Sequence, residues 1–256
     1  MDKRILQISN FIAVILTIVV NSLANILPIN GKTTAALSDN IENLFVPAGI
    51  TFAIWGVIYL LLIIFAIYQA RDFFKKEKIG MPYLTKITPF FLLASAANII
   101  WIFLWHYEQV GLSLIAMIIL LVSLIAIYLK LNIGKEKASL KEKMFIHLPF
   151  SVYLGWITVA TIANTTAFLV TIGWDGFGIS DVTWTIIILC VATLLTLLVL
   201  IKRKDIAYSL VIIWALLGIV IKRIQDQTEI VTTAIIAIIL ITITIISIII
   251  FKYYKK

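Results

Sequence analysis

Charged side chains are scarce in this sequence of 256 residues, of which 13% are Asp, Glu, Lys or Arg and 62% are hydrophobic. A soluble domain of this length carries about 25% charged residues, so the chain has too few polar side chains to cover a water-facing surface. The mean hydropathy is +1.10. The composition therefore predicts an integral membrane protein, whose main partner is the lipid bilayer.

Cysteine and histidine are almost absent. Cys190 is the single cysteine, and the two histidines, His106 and His147, are far apart in sequence. One cysteine excludes an intrachain disulfide framework and a cysteine-based zinc cluster. Walker, Ser-His-Asp and His-Glu-x-x-His patterns are also missing from the sequence. We therefore predict no catalytic residue, no metal site and no required cofactor.

The net charge of +8 at first suggests nucleic acid binding. However, nearly all Lys and Arg residues lie in short gaps between apolar runs, where they would face headgroups or water. A nucleic-acid surface needs basic residues patterned on a folded face, and no such domain is present. Nucleic acid is therefore excluded as a partner.

The apolar runs indicate eight transmembrane helices, because a bilayer core about 30 Å thick needs about 20 apolar residues per helix. The runs are 5–27, 46–70, 87–106, 111–131, 145–171, 182–201, 206–221 and 230–251. The first is longer than a signal-peptide core and lacks a clear cleavage site, so we interpret it as a retained helix. The predicted fold is an all-α, polytopic membrane protein.

The distribution of basic residues predicts the orientation. If the N-terminus is cytoplasmic, 18 of the 21 Lys and Arg residues lie in cytoplasmic segments, among them Lys137, Lys255 and Lys256. Only Lys32, Lys222 and Arg223 lie outside. This asymmetry is typical of the positive-inside rule. It predicts a multi-pass protein of the cell membrane with both termini in the cytoplasm.

Three linkers organise the chain. The first outer loop, about Pro28–Phe45, is long and polar, as expected for a lid, a short re-entrant segment or an ordinary loop. The segment Gly173–Asp181 separates five helices from three, which gives predicted units at 1–172 and 173–256. The loop Lys202–Asp205 is so short that helices six and seven should form an antiparallel hairpin.

Aromatic and amide residues form stripes on three predicted helices. In the second helix, which Pro47 and Gly49 are expected to begin, Phe52, Trp55 and Tyr59 share one face because they are three and four residues apart. The stripe on the third helix consists of Asn98, Trp101 and Trp105. The stripe on the fifth helix consists of Tyr153, Trp156, Ala160 and Asn164.

Two interpretations of these stripes remain open. By topology, several members lie roughly 8–14 Å deep in the outer half of the bilayer, which favours one aromatic cavity for a flat apolar ligand. Alternatively, Trp105, Trp174 and Trp184 belong to an interfacial belt. Asn98 and Asn164 would then only join helices, at about 1 kcal/mol each.

The stripes also carry a resemblance. Pro47-Ala-Gly-Ile-Thr-Phe52-Ala-Ile-Trp55-Gly-Val-Ile-Tyr59 resembles the P-P-G-W-x-F-x-x-W-x-x-x-Y stretch of the TspO/MBR family of tryptophan-rich sensory and translocator proteins. Asn98-Ile-Ile-Trp101, followed by Gly111-Leu-Ser-Leu, is similar to that family's N-x-x-W and G-L-A-L. Tyr153-Leu-Gly-Trp156, continuing to Ala160 and Asn164, resembles its Y-x-x-W-x-x-x-A-x-x-x-N. The likeness covers about residues 5–172.

The resemblance implies a five-helix bundle that is often dimeric and that binds porphyrins, and in some members sterols or synthetic ligands, in a pocket below the first loop. The stripe residues would then bind a porphyrin or haem-like ligand. The sequence departs from the family pattern at Ile50, Trp105 and Pro149, and three helices follow the expected five.

Three functional hypotheses follow. The first is a membrane sensor or binding protein for a flat hydrophobic ligand such as a porphyrin. The second is a transporter or permease subunit for a small hydrophobic or zwitterionic solute, although no internal repeat and no ionisable residue at bilayer depth support ion-coupled transport. The third is oxidative chemistry on a bound porphyrin, for which no general acid or base is visible.

Overall fold

Eight long helices form the protein in a computed structural model that describes residues 2–27, 29–135 and 138–254, with side chains described up to residue 251. The helices are α1 (Lys3–Ile26), α2 (Ile54–Gln69), α3 (Tyr83–His106), α4 (Val110–Lys130), α5 (Leu148–Thr171), α6 (Asp181–Arg203), α7 (Ile206–Arg223) and α8 (Thr228–Tyr254). Within these ranges eight helices are long and apolar enough to cross a membrane, which confirms the predicted all-α membrane fold. Pro28, Lys137, Lys255 and Lys256, which the sequence places in loops or at the C-terminus, lie outside the described residues.

The start of α2 differs from the prediction. Pro47, Gly49 and Phe52 precede the α-helix, because the chain is extended at Ala48 and then forms a 3₁₀ turn over Gly49–Ala53. The Ala48 N–H donates to the Gly218 carbonyl of α7 at 3.0 Å, so it is used in a tertiary contact instead of in the first turn of a helix.

The first five helices form a closed ring. In order of contact, α1 packs on α3, α3 on α4, α4 on α5, α5 on α2, and α2 on α1. The contacts that α2 makes with its two neighbours are the least extensive of the ring. Inside the ring Phe65, Phe91 and Phe150 pack edge to face, with ring centroids 5.0–5.7 Å apart.

The last three helices pack on this ring through α7. A Cβ at Gly155 of α5 would lie 3.0 Å from the Val211 side chain of α7, so glycine allows close approach of the two helices. The Ser151 hydroxyl donates to the buried Asp205 carboxylate at 2.7 Å. α8 packs on both α6 and α7, more extensively than those two helices pack on each other. The division at residue 172 stays a prediction.

The two ends of the bundle differ. At the terminal end, where α1 begins and α8 ends, the carboxylate of the buried Asp72 accepts hydrogen bonds from Lys3, Gln7 and the Ile79 N–H. At the opposite end, the segment between α1 and α2 folds over the ring. We call this segment, residues 29–48, the lid, and this end of the bundle the lid end.

Candidate ligand-binding site

A small cavity lies under the lid where α2, α3 and α5 meet. Its lining residues are Thr34, Ser38, Pro47, Phe52, Trp55, Trp101, Trp105, Trp156, Val159, Ala160, Ala163 and Asn164. Most of the lining is aromatic or aliphatic, and five of the residues carry aromatic rings. An apolar site with a few polar groups is the usual form of a small-molecule site.

The rings that line the cavity form two groups. On α3, Trp101 and Trp105 stack with centroids 5.9 Å apart and planes 20° apart, as expected for residues four positions apart on a helix. On the other side, Trp156 of α5 meets Phe52 and Trp55 edge to face at 5.8 and 6.3 Å. The cavity is therefore lined by rings in two orientations, which suits a flat apolar molecule.

The α3 side of the cavity is fixed by a hydrogen-bond chain. The Trp101 indole N–H donates to the Asn164 amide oxygen at 2.9 Å. The Asn164 amide nitrogen then donates to the Ser113 hydroxyl of α4 at 3.1 Å. All three residues are buried, and the two hydrogen bonds join α3, α4 and α5 behind the cavity. This is the interhelical role that the sequence left open for Asn164.

Some buried polar atoms near the cavity have no partner. Among the described residues, the Trp156 indole N–H, the Tyr153 hydroxyl and the Asn98 amide nitrogen make no hydrogen bond, although these residues are at most 2% exposed. The Asn98 amide oxygen accepts from Asn21 of α1 at 2.6 Å. Unpaired polar groups are costly in a bilayer interior. Of the three residues with unpaired atoms, Trp156 lines the cavity.

The lid is joined to the ring by specific contacts. It contains a short helix, Thr34–Asp39, that begins over α3. There the Thr34 hydroxyl lies 3.4 Å from Nε2 of the buried His106. The Thr34 carbonyl accepts a hydrogen bond from the Trp105 indole N–H at 3.4 Å. On the α5 side, the Asn43 amide donates to the Thr166 hydroxyl at 2.7 Å. The long polar loop is therefore a structured cover for the cavity.

α7 also contacts the lid. The Arg223 guanidinium donates to the carbonyls of Asn43 and Leu44 at 2.8 and 3.3 Å. Lys222 forms an ion pair with Asp39 at the end of the lid helix. Two of the three basic residues that the sequence places at this end thus contact the cover of the cavity.

Eight of the twelve predicted site residues line the cavity. They are Pro47, Phe52, Trp55, Trp101, Trp105, Trp156, Ala160 and Asn164. Gly49 lies in the 3₁₀ turn before α2, and Asn98 contacts α1. Tyr59 and Tyr153 pack against Trp55, with centroids 5.6 and 6.1 Å away, and so support the wall from behind. Trp105 is 6% exposed and lines the cavity, unlike a residue of an interfacial belt.

Four lining residues were missed by the sequence analysis: Thr34, Ser38, Val159 and Ala163. Val159 and Ala163 extend the stripe of Trp156 and Ala160 at helical spacing, so the sequence contained that signal. Thr34 and Ser38 are four residues apart, but only the structure shows that their loop segment is a helix placed over the cavity.

A polar stripe on α1 was also missed. Gln7, Asn10, Thr17 and Asn21 are buried on one face of this helix, which points toward α2 and α3. The Asn10 amide nitrogen donates to Gln69 of α2 and to a threonine of α3, both at 3.1 Å. The Asn10 amide oxygen and the Thr17 hydroxyl have no partner among the described residues.

The cavity has a volume of about 40 Å³, which is enough for one to a few water molecules. Pockets that bind drug-sized molecules typically measure about 300–1,000 Å³. A porphyrin-sized ligand therefore requires the lid or the rings to move. Phe52 and Trp55 are only partly buried, on the side of the ring where α2 has its least extensive contacts.

Comparison with known proteins supports the relation that the motifs suggested. The family model described as TSPO-like protein matches residues 7–247. The match runs from α1 into α8, whereas the motifs recognised in the sequence end before residue 173. No match was found among curated proteins or solved structures.

Proposed function

Since the chain belongs to the TSPO-like protein family, we propose that it binds a flat hydrophobic ligand, such as a porphyrin, in the aromatic cavity under the lid and acts as a membrane sensor or binding protein. The observation that supports this proposal is the meeting of five aromatic rings at one covered cavity, four from α2, α3 and α5 and one, Phe52, from the 3₁₀ turn before α2. The indole faces would stack on the ligand, and the unpaired Trp156 N–H would donate to an acceptor on its edge.

Ligand access in this proposal occurs beside α2. The contacts of α2 with α1 and α5 are the least extensive in the ring, and α2 carries Trp55, which is partly exposed. A ligand dissolved in the bilayer would reach the cavity by separating α2 from α5, without crossing water. Widening of the cavity on binding is therefore part of the proposal.

Titration with protoporphyrin tests the proposal. Purified protein in detergent is titrated while Trp fluorescence is followed, for the wild type and for Trp55→Phe, Trp101→Phe and Trp156→Phe. Since an aromatic contact contributes about 0.5–1.5 kcal/mol, each change should weaken binding by about two- to tenfold. Trp184→Phe, whose ring lies outside this cavity, is the matched control and should keep the wild-type affinity.

If the three cavity variants and the control bind protoporphyrin equally well, the ligand does not occupy this cavity. A wild type that binds no protoporphyrin at all removes the porphyrin class. A flat apolar dye would then test whether the cavity accepts any planar ligand.

The polar stripe on α1 supports a second candidate, which is transport of a small hydrophobic or zwitterionic solute. The unpaired Asn10 amide oxygen and Thr17 hydroxyl would offer hydrogen bonds to a polar solute between the terminal end and the cavity. Uptake of a zwitterionic amino acid into proteoliposomes, lost in Asn10→Leu and kept in Asn25→Leu, would support it. Equal uptake by liposomes without protein would remove it.

A further inference from the structure

A second opening lies outside the aromatic cavity, at the lid end between the five-helix ring and the last three helices. A vestibule of about 750 Å³ opens there between the lid, α5, α6 and α7. A groove of about 150 Å³ continues from it between α5 and α6 and shares with it Glu42, Asn43, Leu44, Val170, Trp174 and Asp181. The two cavities therefore form one continuous opening.

The vestibule carries charges of both signs. Lys222 and Arg223 contribute two cations, and Asp39, Glu42 and Asp181 contribute three carboxylates. Asp39 is paired with Lys222, and Arg223 is paired with Asp226. The ammonium and the guanidinium carry more N–H groups than these contacts use, so both can also donate to a further anionic group. Neither Glu42 nor Asp181 has an ion-pair partner among the residues that the structure describes. Two unpaired carboxylates beside two cations offer places for a cationic and an anionic group of the same molecule.

Aromatic rings lie beside the unpaired carboxylates. Trp174, in the linker after α5, packs on Trp184 of α6 with centroids 5.2 Å apart. The Trp184 indole N–H donates to the Gly176 carbonyl at 2.8 Å, which fixes the linker against α6. Indole faces beside carboxylates favour an ammonium group, through cation–π attraction in addition to charge.

The groove below the rings is mainly apolar. It is lined by Thr166 and Leu169 of α5 and by Thr185 and Ile188 of α6. The hydroxyls of the two threonines donate to carbonyls of their own helices. α6 packs chiefly on α8 and does not pack closely on α5. The space between α5 and α6 therefore remains open as the groove. The groove therefore offers hydrocarbon contact to an acyl chain.

From this combination we propose that the junction binds a zwitterionic phospholipid of the surrounding bilayer. Lys222 and Arg223 contact its phosphate, Glu42, Asp181 and Trp174 contact its ammonium group, and one acyl chain lies between α5 and α6. An anionic phospholipid without an ammonium group would leave Glu42 and Asp181 unpaired and would be repelled by them. The bound lipid would fill the space between the lid and the last three helices.

Native mass spectrometry of the full-length protein in detergent tests this site. The probes are dioleoyl phosphatidylethanolamine, dioleoyl phosphatidylglycerol and dioleoylglycerol at equal concentration. Wild type should retain the ethanolamine lipid over the glycerol lipid by about fivefold, as expected for two exposed ion pairs of modest strength. Dioleoylglycerol, which has the chains without the charged headgroup, should be retained least.

Charge variants identify the residues that select the headgroup. Glu42→Gln combined with Asp181→Asn should remove the preference for phosphatidylethanolamine, and Glu42→Lys combined with Asp181→Lys should reverse it. The matched control is Glu108→Gln combined with Glu229→Gln, which removes two carboxylates at the same end of the bundle but outside the vestibule. Glu42 and Asp181 are exposed, so the variants should keep the wild-type melting temperature.

Three results would overturn the proposal. The first is equal retention of the ethanolamine and glycerol lipids by wild type. The second is retention of dioleoylglycerol as strong as that of phosphatidylethanolamine, because chains alone would then explain binding. The third is a control variant that loses the preference as fully as the site variant, because overall charge would then decide. None of these outcomes depends on porphyrin binding in the aromatic cavity.

Discussion

At the scale of single residues, buried amides and one carboxylate join the helices of the ring. Asn164 connects α3 to α4 beside the cavity, and Asp72 connects α1 to the α2–α3 loop at the terminal end. In a bilayer, such polar contacts replace part of the hydrophobic driving force that soluble proteins use between helices. Their removal should therefore affect stability more than their small number suggests.

Replacing Asn164 with leucine should destabilise the protein by about 1 kcal/mol, because the buried Trp101 N–H loses its acceptor and the Ser113 hydroxyl keeps only its bond to the Val110 carbonyl. Thermal unfolding in detergent, followed by circular dichroism, measures the change. Thr165→Val is the control, because the Thr165 hydroxyl bonds only to a carbonyl of its own helix. Equal losses in both variants would mean that the interhelical bonds contribute nothing.

Stability should fall as the pH falls below about 4, in part through Asp72. Burial raises the pKa of this carboxyl, but hydrogen bonds from Lys3, Gln7 and the Ile79 N–H outweigh burial and hold the pKa well below its ordinary value of 3.8. Because the pKa of Asp72 is lower in the folded state than in the unfolded state, its ionised carboxylate stabilises the folded protein at pH values above the unfolded-state pKa. This contribution is lost as the pH drops from there toward the folded-state value.

Asp72→Asn should therefore cost about 2 kcal/mol at neutral pH and flatten the acid side of the stability profile. Melting temperatures measured between pH 7 and pH 3 give both quantities. Glu77→Gln, an exposed carboxylate of the same loop, is the control and should keep the wild-type profile. An unchanged acid slope in Asp72→Asn would show that other groups cause it.

At the scale of secondary-structure elements, α7 connects the last three helices to the cavity. It packs along α5, it accepts a hydrogen bond from Ala48, and its Trp214 indole donates to the Thr51 carbonyl at 2.9 Å. Its end carries the two cations that contact the lid. The added helices therefore influence the cavity through the lid and the 3₁₀ turn before α2.

Gly218 of α7 allows this close approach. A Cβ at Gly218 would lie 2.0 Å from the Thr51 hydroxyl and 2.8 Å from Pro47, so Gly218→Ala should force α7 away from the 3₁₀ turn before α2. We expect a loss of about 1–3 kcal/mol, typical of overpacking. Faster exchange of a bound porphyrin, measured by stopped-flow fluorescence, should accompany it.

Gly56→Ala is the matched control for this change. Gly56 is exposed on α2, and a Cβ there would meet nothing within 4 Å. Alanine inside a helix should stabilise the protein by about 0.5–1 kcal/mol. If Gly218→Ala behaved like Gly56→Ala, the contact between α7 and the 3₁₀ turn before α2 would not be a close one in solution.

At the scale of the whole molecule, the even number of spans among the described residues places the start of α1 and the end of α8 at one end of the bundle. The positive-inside rule assigns that end to the cytoplasm. The aromatic cavity and the proposed lipid site would then face the outer leaflet. This orientation stays a prediction.

Cysteine labelling checks the orientation. In a background with Cys190→Ala, Gln225→Cys at the lid end should react with a membrane-impermeant maleimide in intact cells. Lys76→Cys, in the exposed α2–α3 loop at the terminal end, should react only after the membrane is permeabilised. The reverse pattern would invert the protein and would place the cavity in the inner leaflet.

The sequence alone determined the membrane class, the eight spans and most of the cavity wall. Long apolar runs have no stable alternative to spanning a bilayer, and helical periodicity places Trp156 and Ala160 on one face. Those signals are local in the chain. The recognisable motifs were local too, and they did not reach the last three helices, which the family match includes.

Only the tertiary structure decided what covers the cavity and how the parts meet. Loop residues such as Thr34 have no periodicity that would place them over Trp105. The contact of Gly218 with Thr51 joins residues far apart in sequence, and so does that of Arg223 with Asn43. The sequence of one helix does not determine its neighbours, because the side chains that face lipid and those that face other helices are both apolar. The neighbours depend on how all eight helices pack together.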